Sequence, residues 1–235
     1  MDRETSVQLA RATTKGGAHR TGRLLIFVPL RRSCEVAKET VKPKQNSTAP
    51  LRRGFGGQAG VPIMDAEAIR RALRRIAHEI IEGNPNLKSV VLAGIPSRGV
   101  EIARRIAAFI REIENADVDT GVIDVAMHRD DVGTRKELPV VHASRLPTPL
   151  EDRTVIIVDD VHYTGRTVRA AMDAINSFGR PARIQLAVLI DRGHRELPIR
   201  PDYIGKNLPT ATREQIQVRL QETDNEPDGV WLERE

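Results

Sequence analysis

Residues 155–167 read VIIVDDVHYTGRT. Val155, Ile156, Ile157 and Val158 are apolar without alternation, the pattern of a strand buried on both faces. Asp159 and Asp160 follow where that strand emerges. Tyr163, Thr164, Gly165, Arg166 and Thr167 then form a turn that opens a helix. Such a turn offers backbone N–H groups, two hydroxyls and a helix N-terminus, all suited to a phosphate monoester. Gly165 permits close backbone approach. Two adjacent carboxylates repel a phosphate, so their useful partners are sugar hydroxyls or a divalent cation. A ribose 5-phosphate satisfies both ends of the segment. Its hydroxyls meet Asp159 and Asp160, and its phosphate meets the turn.

The flanking sequence alternates strands and helices. Asp65 caps a predicted helix over 66–82, with Ile69, Leu73, Ile76, Ala77 and Ile80 as its buried stripe. Gly83, Asn84 and Pro85 end it. Strands are predicted at 89–93, 121–127, 154–158 and 184–190, and helices at 99–113 and 167–178. Apolar strands alternating with helices predict an α/β fold with a mostly parallel twisted sheet flanked by helices. Ligands of such sheets bind at the carboxyl ends of the strands. A second strand end reads Gly94, Ile95, Pro96, Ser97, Arg98, Gly99 before its helix. His128, Arg129, Asp130 and Asp131 open a polar stretch that runs to about Pro149, long enough to expect a function.

The chain has 235 residues, with 37 Lys+Arg against 32 Asp+Glu and a formal net charge of +5. Its pI is about 9.7. Residues 1–60 hold 12 basic and 4 acidic residues, a net of +8. Residues 61–235 hold 25 and 28, a net of −3. The whole excess of positive charge therefore lies in the first quarter. That quarter lacks a sustained period and carries Gly16, Gly17, Pro43, Pro50, Gly54, Gly56 and Gly57. It reads as a basic, disordered extension, or as sequence upstream of a true start near Met64. Residues 61–235 read as one domain. The single cysteine, Cys34, excludes an intrachain disulfide and any cysteine-based metal cluster. Aromatics at 3% argue against RNA recognition by stacking platforms. No run approaches the roughly 18 apolar residues of a membrane span, so a cytoplasmic protein without a membrane partner is expected.

Residues 155–167 resemble the phosphoribosyl pyrophosphate (PRPP) signature of the type I phosphoribosyltransferases: apolar run, acidic pair, then T-G-x-T. The resemblance implies that family's fold, with a flexible flap and a small hood. It makes Asp159 and Asp160 catalytic, and gives the 5-phosphate to Tyr163, Thr164, Gly165, Arg166 and Thr167. Ser97, Arg98 and Gly99 become the pyrophosphate loop. The stretch from His128 becomes the flap, with Arg129 as a catalytic contact to pyrophosphate and Arg135 and Lys136 as weaker candidates. Mg²⁺ is the implied cofactor, carried by PRPP rather than by dedicated protein ligands, with Asp159 and Asp160 beside it.

Residues 68–79 and 189–209 narrow the resemblance to one branch. Its members convert uracil and PRPP to UMP and pyrophosphate, and also regulate pyrimidine operons by attenuation. The similarity covers about residues 61–235 and not 1–60. It implies a homo-oligomer, dimer or higher, that binds leader mRNA under the control of UMP or UTP. Asp191, and backbone groups near Tyr203 and Ile204, are then placed to read the uracil. Purine-using relatives carry a carboxylate where this chain has Tyr163. His162 departs from the apolar residue common in the branch, and would lie beside ribose and phosphate.

For RNA, Arg71, Arg74, Arg75 and His78 share a helix face opposite the apolar stripe. His194, Arg195, Arg200 and Lys206 form a second basic group, and the resemblance brings the two together on a dimer surface. Arg, Lys and His meeting phosphates and 2′-hydroxyls is the chemistry expected for structured RNA. Two alternatives stand beside this reading: a phosphoribosyltransferase for another base without RNA binding, and an RNA-binding regulator with little catalysis.

Overall fold

The computed structural model describes residues 60–126, 128 and 143–234. The expectations for residues 1–59, and for Arg129, Arg135 and Lys136, lie outside the described residues.

The first helix, α1 (Ala66–Gly83), forms as the sequence dictates. The Asp65 carboxylate accepts the Ala68 N–H at 2.7 Å and caps its start. Ile69, Leu73, Ile76, Ala77 and Ile80 are fully buried. Each of the larger side chains contributes about 1.5–3 kcal/mol by leaving water.

That stripe packs on a five-stranded sheet of β2 (Val90–Gly94), β3 (Asp119–Val122), β4 (Thr154–His162), β5 (Arg183–Asp191) and β6 (Tyr203–Asn207). The order is β3-β2-β4-β5-β6, and every neighbouring pair is parallel. Helix α2 (Arg98–Glu114) follows β2, and α3 (Arg166–Asn176) follows β4. Alternate residues of β4 feed opposite sides. Ile156 and Val158 join α1 and α2 in one core, while Val155 and Ile157 join α3 in the other. The helices after adjacent strands thus lie on opposite faces, which makes the β2/β4 boundary the topological switch point.

A second sheet, in the order β1-β8-β7, is antiparallel. It comprises β1 (Val61–Asp65), β7 (Glu214–Arg219) and β8 (Gly229–Arg234), with a single-turn helix α4 (Gln221–Asp224). The sequence assigns no strand to these segments. They are short, each with at most four consecutive apolar residues. Two arginines of α2 fasten this hood. Arg98 forks onto Asp224. Arg105 reaches Glu222 at 2.6 and 3.0 Å, and Asp228 through both terminal nitrogens.

In the main sheet β6 is a strand the sequence did not predict, and β3 and β4 differ in their bounds. β3 starts earlier and stops at Val122, not Met127. The chain beyond it bonds elsewhere: Asp124 N–H donates to Ser144 Oγ, and Val122 exchanges bonds with Arg145. β4 runs to His162 because β5 stays alongside it to Asp191.

Two glycines set the fit of α2 on the sheet. A Cβ on Gly94 would stand 2.5 Å from Val100 Cα, and one on Gly99 would stand 2.4 Å from Val158 O. Neither neighbour is a flexible side chain, so α2 would have to move. Gly99→Ala is expected to cost about 1–3 kcal/mol of stability in urea denaturation. An unchanged midpoint would show that α2 backs away freely.

Candidate active site

β2 ends at Gly94, level with Val158 of β4. The acidic pair therefore lies inside β4, past the end of one neighbour, and not beyond the strand as the sequence suggests. Asp159 is 8% exposed and Asp160 is half-buried. Each carboxylate bonds the next peptide: Asp159 Oδ1 accepts the Asp160 N–H at 2.9 Å, and Asp160 Oδ1 accepts the Val161 N–H at 2.8 Å. These short-range bonds fix the orientation of both groups.

The 5-phosphate turn closes β4 into α3. Gly165 is the N-cap with φ +93°, a conformation that favours glycine. The Thr164 hydroxyl reaches the Arg166 N–H at 3.4 Å. A strap from the far side of β5 braces the turn. Glu196 and Leu197 N–H groups donate to Thr164 O at 3.0 and 3.1 Å. Arg166 directs its guanidinium outward to Glu196 Oε2 at 2.7 Å. Its peptide, rather than its charge, faces the predicted phosphate position. Tyr163 turns its ring under the Arg192 guanidinium, 4.1 Å from the ring centroid. Tyr163 and Arg166 are thus engaged within the fold, through Arg192 and Glu196.

The pyrophosphate loop closes β2 into α2. Ser97 is the N-cap, exposed, and makes no side-chain cap bond. The Pro96–Ser97 peptide is cis. Ile95 N–H donates to Val158 O at 3.0 Å and ties the loop to β4 beside the acidic pair. Adjacent parallel strands thus present two helix N-termini with two carboxylates at the boundary. Arg98 is not free to follow a ligand, because Asp224 holds it at 2.6 and 3.0 Å. Asp224 raises the Arg98 guanidinium above its ordinary value, against the opposing effect of burial, with a smaller contribution from the charge of Asp160.

Of the residues expected to read the base, Asp191 is held in a side-chain pair, while Tyr203 and Ile204 lie on β6, whose backbone groups are the expected contacts. Asp191 is 5% exposed, and its carboxylate is already committed. One oxygen accepts the Gly193 N–H at 3.1 Å and the other bonds Arg195. Tyr203 opens β6 level with Ala187 and is buried under α1. Its hydroxyl accepts from Asn84 Nδ2 at 3.0 Å. Burial pushes its phenol above the ordinary value. Ile204 is half-buried against the α3-side core, and its carbonyl, with that of Gly205, accepts from Arg75. The Asp191 carboxylate and the Tyr203 hydroxyl are thus held by the fold, and the Ile204 carbonyl by Arg75. His162 is likewise buried. It is 2% exposed, bonds Ile199 O through Nε2 at 3.2 Å, and is pushed by burial toward the neutral form. It anchors the strap.

The basic residues divide. Arg74 turns toward α2, reaching Glu112 at 2.9 Å beside Phe109. Arg75 turns the other way, to β6, and Arg195 is bound to Asp191. His194 bonds Thr210 O, and Lys206 reaches Ile63 O at 3.4 Å. Arg71 is largely exposed, with a long pair to Glu67 at 3.5 Å. His78 and Arg200 are exposed. Lys206 adjoins the α1 group, since Arg75 bonds Gly205 O, while Ile199, next to Arg200, packs on the other face of the sheet from α1.

Among the described residues no three His, Cys, Asp or Glu side chains gather into a metal site, and no helix is long and apolar enough to cross a membrane. An acidic pair of this kind suits a Mg²⁺ ion whose other ligands are substrate phosphates.

The strand-end constellation is that of a phosphoribosyl transferase, and the chain belongs to that family: the phosphoribosyl transferase domain matches residues 62–223. Within it, the sequence is similar to proteins named bifunctional protein PyrR. The Roseiflexus sp. (strain RS-1) protein is 58% identical over 172 residues, 73% of this chain and 94% of the relative. That of Pelotomaculum thermopropionicum is 56% identical over 171 residues, with 73% and 94% covered. That of Listeria monocytogenes serotype 4b is 51% identical over 180 residues, with 75% and 98% covered. Solved structures share the fold. A Bacillus anthracis hypoxanthine-guanine phosphoribosyltransferase superposes with TM-score 0.56 at 16% identity, covering 73% of this chain and 96% of that one. A Trypanosoma cruzi hypoxanthine phosphoribosyltransferase does so with TM-score 0.56 at 20% identity, covering 74% and 96%.

Sequence reasoning missed Asp224, Arg192 and the bracing role of Glu196, Leu197 and Ile199. Asp224 lies 126 residues from its partner Arg98, and no local pattern announces such a contact. Arg192 is 8% exposed and bonds Thr210 Oγ1 at 2.8 Å while stacking on Tyr163. Its position directly after a buried strand was the one available signal. Arg195→Ala is expected to cost about 1–3 kcal/mol in thermal or urea denaturation, because it strands the buried Asp191 carboxylate. Arg200→Ala, on an exposed residue, should change stability by less than about 0.5 kcal/mol.

Proposed function

We infer that this chain transfers the phosphoribosyl group of PRPP to uracil, giving UMP and pyrophosphate, and that it also binds pyrimidine-operon leader mRNA under the control of uridine nucleotides. The observation that carries the catalytic part is the acidic pair of β4 standing at the boundary between two helix N-termini on adjacent strands. The choice of uracil and of RNA rests on the relationship to the bifunctional PyrR proteins. No side chain established at the site selects the base.

In this reading the N-terminus of α3 and the turn at residues 164–167 hold the 5-phosphate. Asp159 and Asp160 accept the ribose hydroxyls and favour positive charge developing on the sugar. The C1–oxygen bond to pyrophosphate breaks, the bond from C1 to uracil N1 forms, and the N1 proton is released to solvent. Residues 97–99 receive the departing diphosphate, and Arg129 of the flap adds its charge. Asp159 and Asp160 would help hold a Mg²⁺ ion brought in by PRPP, and that ion would supply neutralisation of the leaving group. Fixing both phosphate ends restrains C1 against the base, which lowers the entropic part of the barrier. The enzyme acts in the cytoplasm.

For RNA, Arg71, His78, Arg200 and Lys206 are exposed members of the basic set, and Arg75, His194 and Arg195 are exposed but also bond within the fold. A homo-oligomer brings further copies of these groups together.

Two measurements test this reading. The full chain with PRPP and Mg²⁺ should form UMP from uracil, and no nucleotide from orotate, hypoxanthine or guanine; turnover of another base alone would overturn the choice of uracil. Asp160→Asn should lower kcat/KM on the order of a hundredfold or more while leaving RNA affinity near wild type. Separately, Arg71→Ala with Arg200→Ala should weaken leader RNA binding, with UMP formation preserved. The log–log salt slope should fall by roughly one for each phosphate that the variant no longer neutralises. Unchanged affinity would remove these residues from the RNA surface.

A further inference from the structure

Arg98 stands at the first position of α2, directly after the loop that the phosphoribosyl transfer reading gives to the diphosphate. Its side chain is held from outside the main sheet. Nε donates to Asp224 Oδ2 at 3.0 Å, and Nη2 donates to Asp224 Oδ1 at 2.6 Å, a paired fork. Asp224 is itself fixed. Its Oδ2 accepts the Leu220 N–H at 2.9 Å, and its own N–H donates to Leu220 O at 2.8 Å. The short helix that carries it is fastened to α2 a second time through Arg105, Glu222 and Asp228. Both side chains of the pair are shielded, at 30% and 19% exposure.

Burial by itself would raise the Asp224 carboxyl. The bonds from Arg98 and the Leu220 peptide outweigh it and hold the group below the ordinary range, so it stays an anion at neutral pH. An anion here makes no sense as an aid to diphosphate attraction, because it cancels charge that an unpaired arginine would offer. What it supplies is direction. The Nε–Nη2 edge is taken, and no described residue bonds Nη1. Asp160 also acts electrostatically on Arg98, which places the guanidinium within range of both the sugar-binding acid and the hood.

We propose that Asp224 is a positioning residue for phosphoribosyl transfer. It locks Arg98 by its Nε–Nη2 edge so that Nη1 meets the departing diphosphate, and it makes the hood a working part of the active site. The proposal rests on the PRPP reading of the strand ends. Its contribution is orientation, so it belongs to the transition state and to PRPP rather than to the base.

The test is steady-state kinetics of UMP formation by the full chain, varying PRPP and uracil separately. Asp224→Ala should lower kcat/KM for PRPP on the order of ten- to a hundredfold and leave the KM for uracil within about twofold. Asp224→Asn, which keeps one acceptor, should fall between, and it serves if the alanine variant does not fold. The double variant Arg98→Ala with Asp224→Ala should be no worse than Arg98→Ala alone, because one residue acts through the other. Asp228→Asn loosens the same hood without touching Arg98; it should lower the thermal midpoint and spare the PRPP parameters. Equal PRPP parameters for Asp224→Ala and wild type would overturn the proposal, as would multiplicative losses in the double variant. Loss of PRPP efficiency in Asp228→Asn matching that of Asp224→Ala would reduce the hood to a structural clamp and overturn it too. A wild-type chain that forms no nucleotide from PRPP overturns the PRPP reading itself, and this proposal with it.

Discussion

β4 outruns β2. Their last shared level is Val158 with Gly94, yet β4 continues through Asp159, Asp160, Val161 and His162. On its other side β5 keeps pace, to the pair His162 and Asp191. One ladder therefore holds the acidic pair in extended geometry, while the opposite edge is open to a ligand. The early stop of β2 also sets where α2 begins. Gly99 lies against Val158 O, at a distance that excludes a side chain. The loop at residues 95–97, the acidic pair and the start of α2 are thus positioned by the same mismatch in strand length.

This explains which parts of the protein were legible in the sequence. Where a residue's role follows from its neighbours in the chain, the reading holds. Asp65 caps α1, the stripe from Ile69 to Ile80 is buried, and Gly165 takes the positive φ that the turn needs. The parallel sheet and the family follow from the same local patterns. Where a side chain's partner is set by packing, the local pattern does not show it. The Tyr203 hydroxyl is bonded to Asn84, 119 residues away. Asp191, at a strand end, is paired with Arg195. Strand ends attract functional assignments, yet a carboxylate there must still be satisfied when it is buried.

Charge shows the same limit. Eight basic residues carried the expectation of an RNA surface, but several of them hold the fold together. Arg75 ties α1 to β6 through two carbonyls, and Arg195 neutralises a buried carboxylate. Arg74 and Glu112 make an exposed pair between helices, which contributes little. A substitution at Arg75 or Arg195 changes stability and surface charge together, so weaker RNA binding there would not identify a contact. Arg71, His78 and Arg200 are cleaner probes because they are exposed and their removal strands no buried partner.

The strap at residues 194–200 connects the two proposed activities. It carries His194, Arg195 and Arg200 on its outer side. Between them, Glu196 and Leu197 donate to Thr164 O, Glu196 holds Arg166, and Ile199 O meets His162. The backbone that shapes the 5-phosphate turn is therefore the backbone that carries these basic side chains. Three hydrogen bonds and one ion pair thus join the turn to the strap, so the position of one fixes the position of the other.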